Sequence, residues 1–500
     1  MREPLTALAP FPLETPESHQ SGLRARLTTR IGSLVVPLWA TPMAVASLAM
    51  LVIRNYDHRF IRGDLWWTLL VSTSLVVLLI ALYVALIRGD RRLIPARRRK
   101  FTMALLIFLA GNTILQTALI LPDLNHVNRY GVDAAAATDC ATQQFMRGHD
   151  PYANVHMLTC LANHGLQFDQ TTPKREGRFW PFSTFPTVHH TEFRVGSSTF
   201  ENLLWSTYRR DLARERQDPS YAPAEFETRF NYPGAAIFFG WAAWVFGARD
   251  LVGLFLACVI LASWLIYRQT DRRMRLATGL LLLGDAPLVL DSAVGATDIL
   301  YAALLVLYWQ WRERPLLGGL ILGLAAATRQ QVWFFVPFLL YLAWRRHGWP
   351  DLWRRSILAL AVFVGCNLPF ILMGPQNWLA GVLGPMADPL FAQGIGLIAL
   401  SIALFQQHIG SQNFYAVLEG VALVGCFWLY TRQWQRAPGL AMLLPLIPLA
   451  LAWRSLHTYF MVLPLLATAV LAFPLTSGER SGQARRDLVP LEPITARTIE

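Results

Sequence analysis

The chain is short of charge. Only 15% of its 500 residues are Asp, Glu, Lys or Arg, where a soluble protein would carry about 25%. With 54% hydrophobic residues and a mean hydropathy of +0.36, that scarcity excludes an ordinary soluble enzyme. Cysteine is scarce as well, five in all, and His156, His164, His189 and His190 make no zinc-ligand spacing with them. No Gly-rich phosphate loop follows a strand, which argues against an ATP-driven pump. No repeat relates the two halves, as a transporter built on paired repeats would require. A cleavable leader is not expected either. Residues 1–32 are polar, with Arg24, Arg26 and Arg30 ahead of the first apolar run, so that run should be an uncleaved anchor with its N-terminus inside.

What the chain has is apolar runs of about 16 to 23 residues, long enough or nearly so to cross a hydrocarbon core of about 30 Å. The expected fold class is all-α, a polytopic membrane protein. The net charge of +12 sits mainly in short loops, as the positive-inside bias predicts, and gives no reason to expect a nucleic-acid partner. Crossings are expected at 34–53, 66–88, 101–121, 251–267, 276–290, 298–312, 316–329, 331–344, 356–373, 414–430, 437–452 and 458–475. Tyr232 to Gly247 and Gly394 to His408 are shorter and could be re-entrant or interfacial, so the expected total is about 12–14 transmembrane helices.

The basic loop from Arg88 to Lys100 belongs inside, as does the tail with Arg480, Arg485 and Arg486. Residues 1–100 therefore read as a cytoplasmic N-terminus plus two additional transmembrane helices, 101–475 as the main transmembrane domain, and 476–500 as a cytoplasmic tail. A long polar insert, 122–231, follows the third crossing and falls on the extracytoplasmic side. The same face collects Asp291 to Asp298, Arg329-Gln330-Gln331, Gly374 to Gln393, and Arg454-Ser455-Leu456-His457. Polar pieces converging on one side of a membrane bundle are the arrangement expected of an active site at the interface.

Asp133 would lie near headgroup level, where a carboxylate can take the proton of an attacking hydroxyl. Its commoner role ahead of an Ala-rich run is a helix N-cap. Asp139 is a second, lesser polar contact, and Gly148-His149-Asp150-Pro151-Tyr152 is a turn. Asp291 and Asp298 could hold a divalent cation, Mg or Mn, or a cationic group, or simply cap adjoining helices. Asp285 reads as a buried polar contact. Arg329 near the boundary could grip a lipid phosphate with two N–H groups or merely snorkel, and Arg454 and His457 offer the same choice. Cys140 and Cys160 could form a disulfide in an oxidising compartment, while Cys258, Cys366 and Cys426 read as small core residues. The stretch Gln167 to Arg229, with Trp180, Trp205 and Tyr208, reads as short amphipathic helices on the membrane surface that select the acceptor.

With those residues in view, the chain resembles membrane glycosyltransferases of the GT-C fold, and within them bacterial mannosyltransferases that use polyprenyl-phosphate-mannose. The likeness rests on Gly131-Val132-Asp133 followed by Gly148-His149-Asp150-Pro151-Tyr152, and on Asn231-Tyr232-Pro233 leading to Phe246-Gly247, where Gly234 stands in place of a second Pro. It also rests on Asp291 to Asp298, on Ala327-Thr328-Arg329 before Phe335-Val336-Pro337, and on Trp453 to Tyr459. It covers roughly Phe101 to Pro474 and leaves out the first two crossings. The resemblance implies Asp133 as general base, Arg329 and Arg454 steadying the departing phosphate, inversion at the anomeric carbon, and no sugar nucleotide. Asp139, Tyr152, Arg329, Arg454 and His457 are the expected substrate contacts. The partners implied are a polyprenyl-phosphate sugar donor, a glycan or glycolipid acceptor, and the lipids of the cell membrane. A flippase of a lipid-linked saccharide would share the span count, and a polysaccharide polymerase or ligase would place its large polar loop later in the chain.

Overall fold

The computed structural model describes residues 36–60, 65–87, 99–124, 130–153, 156–180, 199–218, 220–248, 250–405 and 410–473. The leader-side Arg residues, the loop at 88–98, His189, His190 and the tail from 474 lie outside them, with the expectations placed there.

The described chain is all-α. Five helices are long and apolar enough to cross a membrane: Leu65–Ile87, Lys100–Leu119, Val252–Gln269, Trp349–Met373 and Gln412–Gln433. A sixth forms if Arg275–Leu283 and Ala286–Ala293, bent by 42° where they meet, count as one span. The remaining expected crossings are shorter or broken. Asp298–Gln310 has 13 residues and Pro315–Ala326 has 12, about 18–20 Å of helix at 1.5 Å per residue. The crossing expected at 437–452 is two 3-10 stretches, Pro438–Met442 and Leu444–Leu451, because Pro438, Pro445 and Pro448 withhold the amide hydrogens that an α-helix needs. The one expected at 458–475 is parted into Thr458–Met461 and Leu463–Ala472 just ahead of Pro464. The two short stretches become an eleven-residue helix, Ala235–Val245, and a nine-residue one, Leu397–Phe405.

The first two helices are built into the bundle. Trp39, Met50, Leu78 and Leu82 share one buried core with Ile299, Phe338 and Leu466. Ser47 Oγ donates to the Gly284 carbonyl at 3.1 Å, at the bend, and Ser72 Oγ donates to the Ile395 carbonyl at 3.1 Å.

Instead of independent surface helices, the polar insert has a small core of its own. Leu158, Phe179, Leu204, Tyr208 and Phe226 pack with Phe391, which the bundle side supplies. The helix Thr199–Gln217 turns Glu215 inward, where it accepts from the Leu158 amide at 3.1 Å and so satisfies an unpaired donor at the start of Met157–Asn163. A disulfide joins Cys140, on the helix Asp133–Met146, to Cys160 on Met157–Asn163.

Gly234, the departure from the family's pattern, has a packing cause. A Cβ there would run into the Cys366 carbonyl and the Phe370 ring, and the Gly234 amide donates to Asn367 Oδ1 at 2.9 Å. The helix Ala235–Val245 thus starts in backbone contact with Trp349–Met373. Gly234→Ala is expected to destabilise the purified protein by about 1–3 kcal/mol through overpacking, read as a lower melting temperature in detergent. An unchanged melt would show that the two helices can part without cost.

Candidate active site

Asp133 opens its helix but does not cap it. The N-cap is Val132, without a side-chain cap bond, and Asp133 occupies the first turn, where the helix dipole favours a carboxylate. Its Oδ2 accepts from Thr172 Oγ1 at 2.6 Å. The Gly131 amide donates to the Val294 carbonyl at 2.9 Å, which fastens this turn to the loop ahead of Asp298. Asp133 thereby faces a cavity of about 960 Å³ that Asp298, Arg329, Arg454 and His457 also line.

Arg329, Arg454 and His457 are each held by a neighbouring side chain. Arg329 Nη2 donates to Asp298 Oδ2 at 2.7 Å, and its guanidinium carbon lies 4.1 Å from the centre of the Tyr232 ring, a cation–π contact. Gln330 Nε2 donates to the carbonyls of Asn231 at 2.6 Å and Val382 at 2.9 Å, pinning the Tyr232 segment beside it. Arg454 Nη2 donates to the neutral Gln393 Oε1 at 3.3 Å. The two residues also pair through a parallel bridge between Gln393–Gly394 and Arg454–Ser455, and Gly394, at φ 148°, is in backbone contact with Ser455 that leaves no room for a Cβ. His457 Nε2 lies 3.5 Å from Asp291 Oδ2.

Arg329 Nε, Arg454 Nε and Asp298 Oδ1 are buried without a hydrogen-bond partner. Native interiors rarely leave such groups unpaired, so the arrangement suits a polar, anionic ligand. The wall also carries apolar side chains, among them Phe334, Leu423 and Leu449. On the helix Gln412–Gln433 the cavity face is Ala416, Glu419, Gly420 and Leu423, while Val417, Val421 and Val424 on its other side are 64–70% exposed. One helix therefore separates the cavity from the apolar exterior.

Three expectations are corrected. Asp139 does not reach the cavity. It is fully buried and accepts from Tyr130 Oη and Trp244 Nε1, both at 2.8 Å, so its lone pairs serve the support of the Asp133 helix. Tyr152 is likewise internal. Its hydroxyl donates to the Tyr232 carbonyl at 2.7 Å, placing it behind a cavity residue. Asp291 and Asp298 are not gathered around a common cation, because each is engaged by a guanidinium: Asp291 by Arg54 at 2.7 Å and Asp298 by Arg329. Among the described residues the ligand grouping that does form is Cys140, Cys160 and His164, and its two thiols are taken by the disulfide.

Four residues at or behind the site escaped the sequence. Thr172 and Glu227 come from an irregular part of the insert with no motif around them. Tyr232 was visible only as part of Asn231-Tyr232-Pro233, and Arg54 only as a charge at the end of the first apolar run. Glu227, in the cavity rim, is pushed up to about 8 by burial first and then by the neighbouring Asp388 carboxyl. A carboxyl so raised holds its proton longer folded than unfolded. Its contribution is thus fully present below the unfolded value of about 4.3 and is lost as the pH rises through about 8. Glu227→Gln, which cannot ionise, should melt with the unaltered protein at pH 4 and above it at pH 8.5. Equal melting at both would show that this carboxyl ionises freely.

Residues 228–442 match the family model described as Glycosyltransferase family 87. No curated protein and no solved structure matches the chain. The matched stretch supplies Tyr232, Asp298, Arg329 and Gln393 to the cavity; over that region the chain is similar to glycosyltransferases, within the all-α fold of a polytopic membrane protein.

Proposed function

We propose that the chain moves a sugar, mannose by the family likeness, from a polyprenyl phosphate to a hydroxyl of a glycan or glycolipid at the extracytoplasmic face of the cell membrane. The observation that carries this reading is the convergence of Asp133 with Arg329, Arg454 and His457 on one cavity whose wall also carries apolar side chains. A sugar phosphate fits the polar groups and an isoprenoid chain the apolar ones, Phe334, Leu423 and Leu449.

In this mechanism the acceptor oxygen attacks the anomeric carbon as the bond from that carbon to the phosphate oxygen breaks. The attack comes from the face opposite the phosphate, so the configuration inverts. Asp133 accepts the hydroxyl proton. Thr172, donating to Oδ2, holds the carboxylate so that its other oxygen meets the acceptor. The electron pair of the broken bond stays on the polyprenyl phosphate, which gains a negative charge. Donors aimed at that growing charge lower the barrier. Arg454, backed by neutral Gln393 rather than by a carboxylate, has the most positive charge to offer, and Arg329 shares its own with Asp298.

Membranes containing the chain, supplied with labelled polyprenyl-phosphate sugars, should transfer label to acceptor. Asp133→Asn is expected to slow the transfer by about 10²–10⁴-fold with the protein level unchanged. Arg454→Met should chiefly lower kcat, by about 10²–10³-fold, because the charge it meets grows in the transition state. Transfer at nearly the original rate by Asp133→Asn would remove Asp133 as the base. Absence of transfer with every donor would favour a flippase of the same lipid-linked sugars.

A further inference from the structure

One set of charges beside the cavity has no part in the steps above. Arg54, in the helix Ala40–Phe60, lies 2.7 Å from Asp291 Oδ1, and Asp291 Oδ2 lies 3.5 Å from His457 Nε2. The three residues come from distant parts of the chain, and only His457 lines the cavity. Asp291 is 2% exposed. Burying a carboxylate against a guanidinium is a poor way to hold a bundle together, since apolar side chains of similar size usually do as well or better. A strut of charges is better explained by what it positions.

What it positions is a non-helical wall of the cavity. Residues 452–457 run between the 3-10 stretch Leu444–Leu451 and the four-residue helix Thr458–Met461, so no helix of their own holds them. One side of this wall is fixed by the bridge to Gln393–Gly394 and by Trp453 Nε1 donating to the Leu390 carbonyl at 2.8 Å. The other side is fixed where His457 meets Asp291. We infer that Arg54 and Asp291 are positioning residues, which set the His457 imidazole against the phosphate of the lipid-linked donor. The helix Ala40–Phe60, outside the stretch that matches the family, is then a working part of the active site. This rests on the transferase reading of the cavity.

The test is a double-mutant cycle on the full chain in membranes, using labelled polyprenyl-phosphate mannose, glucose and arabinose and following whichever donor the unaltered protein uses. Asp291→Asn should lower kcat/KM by roughly tenfold to a hundredfold, the loss expected when a binding group is displaced by about 1 Å, mostly through the KM for the donor. In a His457→Gln background the same change should cost little more, because the group it positions is gone. Arg54→Gln should behave as Asp291→Asn, and Arg54→Lys should retain most of the activity. Losses that multiply independently of His457, as for sites that do not interact, would overturn the inference and leave the transferase reading standing. If Asp291→Asn does not accumulate, the Arg54→Lys and Arg54→Gln pair in both backgrounds decides by the same criterion. No transfer by the unaltered protein would sink the transferase reading and this inference together.

Discussion

A cation inside an apolar helix bundle has to bring its counter-charge with it, because neither lipid nor Leu side chains can solvate it. The polar wall of this cavity is organised by that requirement. Arg329 is seated by Asp298 and stacked on Tyr232, and Arg54 by Asp291. Arg355, fully buried, is met by Asp351 four residues earlier on its own helix. Acidic residues that look like metal ligands in the sequence are thus committed to guanidinium groups, and Arg454, held by an amide, is the exception.

The Asp133 carboxylate depends on a different device. Asp133 sits in the first turn of a helix tied to its neighbour by the Cys140–Cys160 disulfide. The helix is locked against the bundle by Asp139, which gathers Tyr130 and Trp244. Tyr130 Oη in turn accepts from the Leu251 amide at 2.8 Å, at the head of Val252–Gln269. Asp139 therefore contributes to the site through position alone, and Tyr152 does the same for Tyr232.

The all-α membrane class was legible from composition and run length, and so was the convergence of Asp133, Arg329, Arg454 and His457, because charges are rare enough in this chain for each to stand out. Helix continuity was not. Hydropathy averages over a window and does not register that Pro438, Pro445, Pro448 and Pro464 deny the backbone an α-helix, so apolar runs read as crossings where the chain forms 3-10 turns or paired short helices. The partners of the charges were equally hidden. Nothing local says that Arg54 meets Asp291 or that Thr172 meets Asp133, since those contacts join residues far apart in sequence. Gly234 could be noticed as a departure, but its reason lies in the Cys366 carbonyl of another helix.

The helix Gln412–Gln433 presents Ala416 and Gly420 to the cavity and a row of valines to the apolar exterior. A partition of that thickness makes the bilayer, rather than the aqueous phase, the reservoir on that side. For a substrate dissolved in the leaflet, supply is governed by its mole fraction among the lipids and by lateral diffusion in two dimensions. Adding detergent or extra phospholipid would dilute such a substrate even at fixed molarity, so its saturation curve belongs on a surface-concentration axis.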